Sequence, residues 1–203
     1  MAVSRRDFLL FASGQFNPYS GPGKSQLSEV GPAADSAPEK RRMPVPVGAG
    51  SAAAFRTKCV GCMKCLAACP RGILRPSSSP RHFARPALDF RFGWCRPECN
   101  RCAEACPAGA IRPTAGAAEK KALRTNLAVW HSERCVAATG KDVCRACERH
   151  CPVRAITLVA RPGAAADAPK VPRVDAGLCM GCGACEHYCP ARPQAAMTVE
   201  GRA

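Results

Sequence analysis

At 203 residues, with 5% aromatic side chains against 19 prolines and 17 glycines, the chain cannot build a large conventional apolar core. A formal charge of +15 points to acidic partners, but no block of lysine and arginine is interleaved with aromatics, which argues against a nucleic-acid-binding protein. No stretch approaches the ~20 apolar residues of a membrane helix, and no Ser/His/Asp set, phosphate loop or nucleotide fingerprint marks an enzyme.

The chain opens with Ser4-Arg5-Arg6-Asp7-Phe8-Leu9-Leu10, which looks like a twin-arginine export signature. The apolar run behind it is too short for a secretory signal and no small-residue cleavage site follows, so the protein is expected to stay in the cytoplasm. From Asn17 to Ala54 the sequence is rich in proline, glycine, serine and alanine and has no periodicity. Residues 1–54 are therefore expected to form a flexible, disordered N-terminal arm.

From Phe55 onward the chain is a set of repeats. Cys59, Cys62, Cys65 and Cys69, followed by Pro70, form a C-x2-C-x2-C-x3-C-P run, and Cys179, Cys182, Cys185, Cys189 and Pro190 repeat it. Between them lie two looser quartets: Cys95, Cys99, Cys102 and Cys106 before Pro107, and Cys135, Cys144, Cys147 and Cys151 before Pro152. These four quartets use all sixteen cysteines. The regular run is the one that wraps a [4Fe–4S] cluster, three thiolates reaching one cube and the fourth completing another. Small residues let the backbone approach the sulfides, and Gly61, Gly181 and Gly183 sit inside the regular loops. Zinc sites of four cysteines usually separate their pairs by a dozen or more residues, and cysteines packed this closely would make poor disulfides. Four [4Fe–4S] clusters are expected, with the sixteen cysteines as iron ligands. Counting about −2 for each oxidised centre leaves a protein that is still basic, at roughly +7.

After each closing proline an apolar residue returns, at Leu74, Ile111, Ile156 and Met197, and each is read as the start of a strand. Leu123–Trp130 is the most regular apolar stretch and is read as a strand leading into the third quartet. Trp94 and Trp130 are read as packing residues that shield the centres from water. His82, His131, His150 and His187 share no ligand or catalytic spacing and are read as structural or surface residues. The fold class is α+β: residues 55–203 form two ferredoxin-like lobes built from four cluster-binding half-repeats. Each half cannot enclose its cluster alone, so folding and metal binding are coupled.

The short Ser4-Arg5-Arg6 start, the proline-rich arm, and four quartets of which the third is widened to Cys135-(x8)-Cys144 resemble the NapF family of ferredoxin-type proteins of periplasmic nitrate reductase systems. The resemblance covers the first ten residues and the stretch from Phe55 to Val199. It implies a cytoplasmic accessory protein, not an enzyme, that acts on the precursor of the molybdenum-containing catalytic subunit before export, and that exchanges electrons with redox donors and acceptors. Two features depart from the family: the second quartet carries Cys95-Arg-Pro-Glu-Cys99, one residue wider than regular, and the arm is long. The competing readings are a general electron-transfer polyferredoxin, a NapG-like subunit of a membrane or periplasmic oxidoreductase, and a scaffold whose clusters only hold the fold.

The quartets can pair in two ways. Quartets one and four are both regular and two and three are both irregular, which favours nested pairing, an arrangement that also resembles the four-cluster subunits of molybdenum oxidoreductases. Nesting would complete Cys59, Cys62 and Cys65 with Cys189, and Cys179, Cys182 and Cys185 with Cys69. It would likewise complete Cys95, Cys99 and Cys102 with Cys151, and Cys135, Cys144 and Cys147 with Cys106. The rival is tandem pairing of one with two and three with four, which the similar linkers of 25, 28 and 27 residues equally allow.

Overall fold

The computed structural model describes residues 42–161, 163 and 168–202. The twin-arginine-like start and most of the arm lie outside these residues.

Each quartet folds as a loop that runs into one helical turn. In the first, Cys65 lies within α2 (Lys64–Ala68), where α1 is the preceding helix Ala52–Lys58. The corresponding turns are α3 (Arg101–Glu104), α5 (Ala146–Arg149) and α6 (Ala184–His187), while α4 (Ala117–Ala122) lies between the second and third quartets. The fourth cysteine of every quartet stands at or just past the end of its helix. The backbone leaves the helical conformation there, and the following proline cannot continue it.

The strands join into three antiparallel ribbons of two strands each. β1 (Leu74–Pro76) pairs with β2 (Pro86–Leu88), Leu74 opposite Leu88. β4 (Ile156–Val159) pairs with β5 (Val171–Val174), Ile156 opposite Val174. β3 (Asn126–Trp130) pairs with β6 (Met197–Gly201), Trp130 opposite Met197. Strands therefore start at Leu74, Ile156 and Met197, and β3 falls within Leu123–Trp130, as the sequence leads one to expect. Ile111 does not start a strand. It is 1% exposed and packs against Gly48, where a single backbone bond, Arg112 N–H to the Gly48 carbonyl at 3.0 Å, takes the place of a ribbon. A Cβ on Gly48 would lie 2.8 Å from both Ile111 Cγ2 and the Arg112 oxygen, so the two segments meet only because residue 48 has no side chain.

The folded part also begins earlier than the composition suggests, because residues 42–54, read as the end of the arm, carry buried side chains and lead into α1. Val45, Val47 and Phe55 are buried. The fully buried Asn126 side chain brackets Val45, accepting its N–H at 3.1 Å and donating to its carbonyl at 2.8 Å. Gly201 N–H donates to the Arg42 carbonyl. Proline-rich chain has few donors of its own, and here a side-chain amide from β3 supplies the missing partner.

Two-stranded ribbons and four-residue helices are not stable alone. What they pack against is sulfur. The largest buried cluster joins Ile73, Phe90, Ile156, Met197 and Val199 to Cys147, Cys179 and Cys185, and a second joins Val45, Phe55, Leu74 and Ile111 to Cys65.

The first and fourth loops have the same spacing but different surroundings. Gly61 and Gly181 occupy the same place in the motif, both with φ +69°. A Cβ on Gly61 would meet nothing closer than Ala84 Cβ at 3.7 Å, whereas on Gly181 it would lie 2.3 Å from Asn126 Cβ and 2.8 Å from the Asn126 carbonyl carbon. Likewise Met63 tolerates φ +59° at an exposed site. Its counterpart Gly183 has the Phe90 ring where a Cβ would be, at 1.9 Å. Gly61→Ala should therefore cost only the left-handed backbone penalty of about 1–2 kcal/mol, while Gly181→Ala should cost more than about 4 kcal/mol. Denaturant midpoints of the iron-loaded variants, followed by cluster absorbance, check this; equal losses at both positions would contradict the packing described.

Candidate metal centres

The sixteen thiols are all free of disulfides, and their side chains gather into four sets. One hollow in the second lobe is lined by Cys179, Cys182, Cys185 and Cys151. Another is lined by Cys135, Cys144, Cys147 and Cys189. In the first lobe, the thiols whose charges bear on Cys65 are Cys59, Cys62 and Cys106. Those that bear on Cys102 are Cys95, Cys69 and Cys99. In every set three cysteines come from one quartet, and the fourth crosses over from its neighbour in the chain.

The pairing is thus tandem, and the nested arrangement is not the one adopted. Cys69 sits with Cys95, Cys99 and Cys102 rather than with Cys179, and Cys189 completes the third quartet rather than the first. The ribbons explain the choice. β3 and β6 flank quartets three and four and close them into one unit, while the contact of residues 48 and 112 does the same for quartets one and two. Regularity of spacing does not govern pairing, because each half encloses its partner through the strands at its ends and not through the loop itself.

Burial dominates the electrostatics. Desolvation pushes the Cys65 thiol up to about 11 and those of Cys102, Cys147 and Cys182 to about 12, with neighbouring thiols adding to the rise. Cys185 is raised well above its ordinary value for the same reasons. The thiols of Cys65, Cys102, Cys147, Cys182 and Cys185 therefore hold their protons at neutral pH until a cation replaces them, and loading releases those protons.

Sulfur-only donor sets fit an iron–sulfur cube. Among the described residues no three His, Cys, Asp or Glu side chains converge closely enough to hold a single ion. The two hollows of the second lobe are each lined by four cysteines and by small and apolar residues, with no histidine or carboxylate. Backbone donors also point at sulfur: Ala155 N–H lies 3.2 Å from Cys151 Sγ and Ala196 N–H lies 3.2 Å from Cys189 Sγ. Donors of this kind favour anionic thiolate over thiol.

The two lobes meet at their inner sets. Cys95 N–H donates to the Cys182 carbonyl at 2.8 Å, and Trp94 and Cys95 pack with Met180 and Cys182. Phe90 of the first lobe is buried among Cys147, Cys179 and Cys185 of the second, and its carbonyl lies 2.9 Å from His187 Nδ1. The sets therefore follow in the order Cys59/62/65/106, Cys95/99/102/69, Cys179/182/185/151 and Cys135/144/147/189, with the second and third meeting at the junction. Cys62 is exposed at one end, whereas at the other Cys135, Cys147 and Cys189 are buried and Cys144 is half-buried.

The remaining residues singled out in the sequence take supporting places. Trp94 packs beside Cys95, and Trp130 beside Cys135 and Cys189. His131 Nε2 lies 2.8 Å from Thr198 Oγ1, and His150 stacks on Tyr188 at 3.8 Å. No histidine lines the two hollows of the second lobe. One functional candidate escaped the sequence reading: Lys120, buried beside Cys95. Its neighbours Ala117-Ala118-Glu119-Lys120-Lys121 read as an ordinary exposed helix, and only the burial distinguishes it.

Residues 58–110 and 142–192 each match the model of the 4Fe-4S dicluster domain. Each match encloses one tandem pair, although Cys135 lies outside the second. No curated protein matches the chain.

Paired removals of sulfur test the sets. Cys151→Ala combined with Cys179→Ala should remove about four irons, because both belong to one set, whereas Cys69→Ala combined with Cys179→Ala should remove about eight. Iron analysis of anaerobically prepared protein reads the difference, and the reverse order would restore the nested pairing.

Proposed function

From the premise that the chain belongs to the 4Fe-4S dicluster domain family, we propose that its four sets of cysteines hold four clusters in one linear relay. The protein is an iron–sulfur electron-transfer ferredoxin with two dicluster domains. When bound, the clusters supply one-electron chemistry. The chain's own residues hold them in order and bury them to different depths. The observation that carries this reading is the junction, where Cys95 and Cys182 are joined by a backbone hydrogen bond. Two ferredoxin lobes that acted separately would have no need to bring their inner centres together.

Within that activity, the role we propose is the one implied by the resemblance: maturation of a molybdenum-containing nitrate reductase catalytic subunit, in the cytoplasm, before its export. The basic charge of the chain suits an acidic partner. No helix among the described residues is long and apolar enough to cross a membrane.

Anaerobically prepared protein should contain about sixteen irons, and a value near eight would contradict the four-cluster relay. From native cell extract the chain should co-purify with the reductase precursor that still carries its export signal. Recovery with the mature periplasmic reductase alone, together with export of a folded reporter fused to residues 1–55, would favour a NapG-like carrier instead.

A further inference from the structure

The second quartet is one residue wider than the regular spacing, and the structure closes it with a side chain from elsewhere. Lys120, on α4, is 3% exposed and is the one charged residue among the buried polar side chains of the described residues. Its Nζ donates to the Arg96 carbonyl at 3.0 Å and to the Cys99 carbonyl. Both carbonyls belong to the Cys95-Arg-Pro-Glu-Cys99 segment that carries the extra residue. The Arg96 carbonyl also accepts the Cys99 N–H at 3.3 Å, and an ammonium group has three donors with which to tie both ends of the widened segment.

The same ammonium lies against the sulfurs. Its two bonds place it on the loop that carries Cys95 and Cys99, and its positive charge bears on the thiols of Cys95 and Cys102, opposing the rise that burial causes there. Burying an ammonium is costly unless it is paired, and the two carbonyls supply hydrogen bonds but no countercharge. The countercharge that fits is the net negative charge of a thiolate-held cluster, and the bond to the carbonyl of Cys99, itself one of that set, places the ammonium beside it.

We propose that Lys120 is a positioning residue for the second centre, closing its widened loop and raising the reduction potential of the cluster held by Cys69, Cys95, Cys99 and Cys102. This rests on the reading that those four cysteines hold a cluster. Reduction adds one electron from a neighbouring reduced centre, breaks no bond and makes the site one unit more negative. A fixed positive charge held on the loop of that set and shielded from water would stabilise the reduced form over the oxidised one. The second centre, at the junction of the lobes, thereby becomes a holding point for the electron.

The test is a redox titration of the full iron-loaded chain, followed by electron paramagnetic resonance, for wild type and for Lys120→Met, Lys120→Gln and Lys120→Arg. Iron content is measured on the same samples. In Lys120→Met one of the four components should become at least tenfold harder to reduce, equivalent to ~59 mV for one electron, while the other three stay in place. Lys120→Arg should restore most of that shift, and Lys120→Gln, which keeps a donor but loses the charge, should not. A full iron complement with no component displaced would overturn the proposal. If Lys120→Met loses iron, the comparison of Lys120→Gln with Lys120→Arg decides, and equal potentials or iron loss in both would reduce the lysine to a structural role. Wild-type protein with fewer than sixteen irons would instead be a failure of the four-cluster reading.

Discussion

Burial of thiols in sets of four is the constraint on which the fold depends. In an ordinary domain of this size the positions next to Phe55, Phe90, Ile156 and Met197 would be filled by further aliphatic side chains. Here they are filled by Cys65, Cys147, Cys179 and Cys185. The ribbons and single-turn helices around them are too small to be stable by themselves. Without metal, each hollow of the second lobe brings four thiols together with nothing to bond them to one another. An iron–sulfur cube there would tie one cysteine loop to a cysteine of the neighbouring quartet, so that folding and cofactor binding become one process.

The crossing of the fourth cysteine turns this local chemistry into architecture. Because each set takes a ligand from the neighbouring quartet, neither half of a lobe is complete without the other. The lobes are then joined through their inner sets rather than by the linker alone. Phe90 serves the first lobe by sequence and the core of the second by position, and Gly183 lacks a side chain because that ring occupies its Cβ position. Asn126 plays a similar double part, starting β3 while satisfying the backbone around Val45. These contacts hold the inner centres in a fixed relation, as a relay requires. Lys120 adds a fixed charge at the same junction.

Much of this was legible in the sequence, and what escaped it did so for physical reasons. Cysteine spacing reports local geometry, so the loops and the helical turns behind them follow from the quartets, and apolar residues four places after the prolines mark strands at Leu74 and Ile156. Ile111 follows the same pattern and yet forms no strand, because its partner segment offers only Gly48. Pairing of the quartets could not be read, since linkers of 25, 28 and 27 residues span both arrangements. Residues 42–54 carry the composition of a linker, but their backbone is held by side chains such as Asn126 and Thr125 from more than seventy positions away. Lys120 looks like surface charge, and nothing local foretells that the Cys95–Cys99 loop would cover it.

Iron-edge anomalous diffraction from crystals of the anaerobically prepared protein tests the central claim most directly. The account predicts four iron clusters in a single line, with the cluster bound by Cys69, Cys95, Cys99 and Cys102 next to the one bound by Cys151, Cys179, Cys182 and Cys185. A cluster bridging Cys69 with Cys179, or two lobes whose inner clusters are far apart, would contradict it.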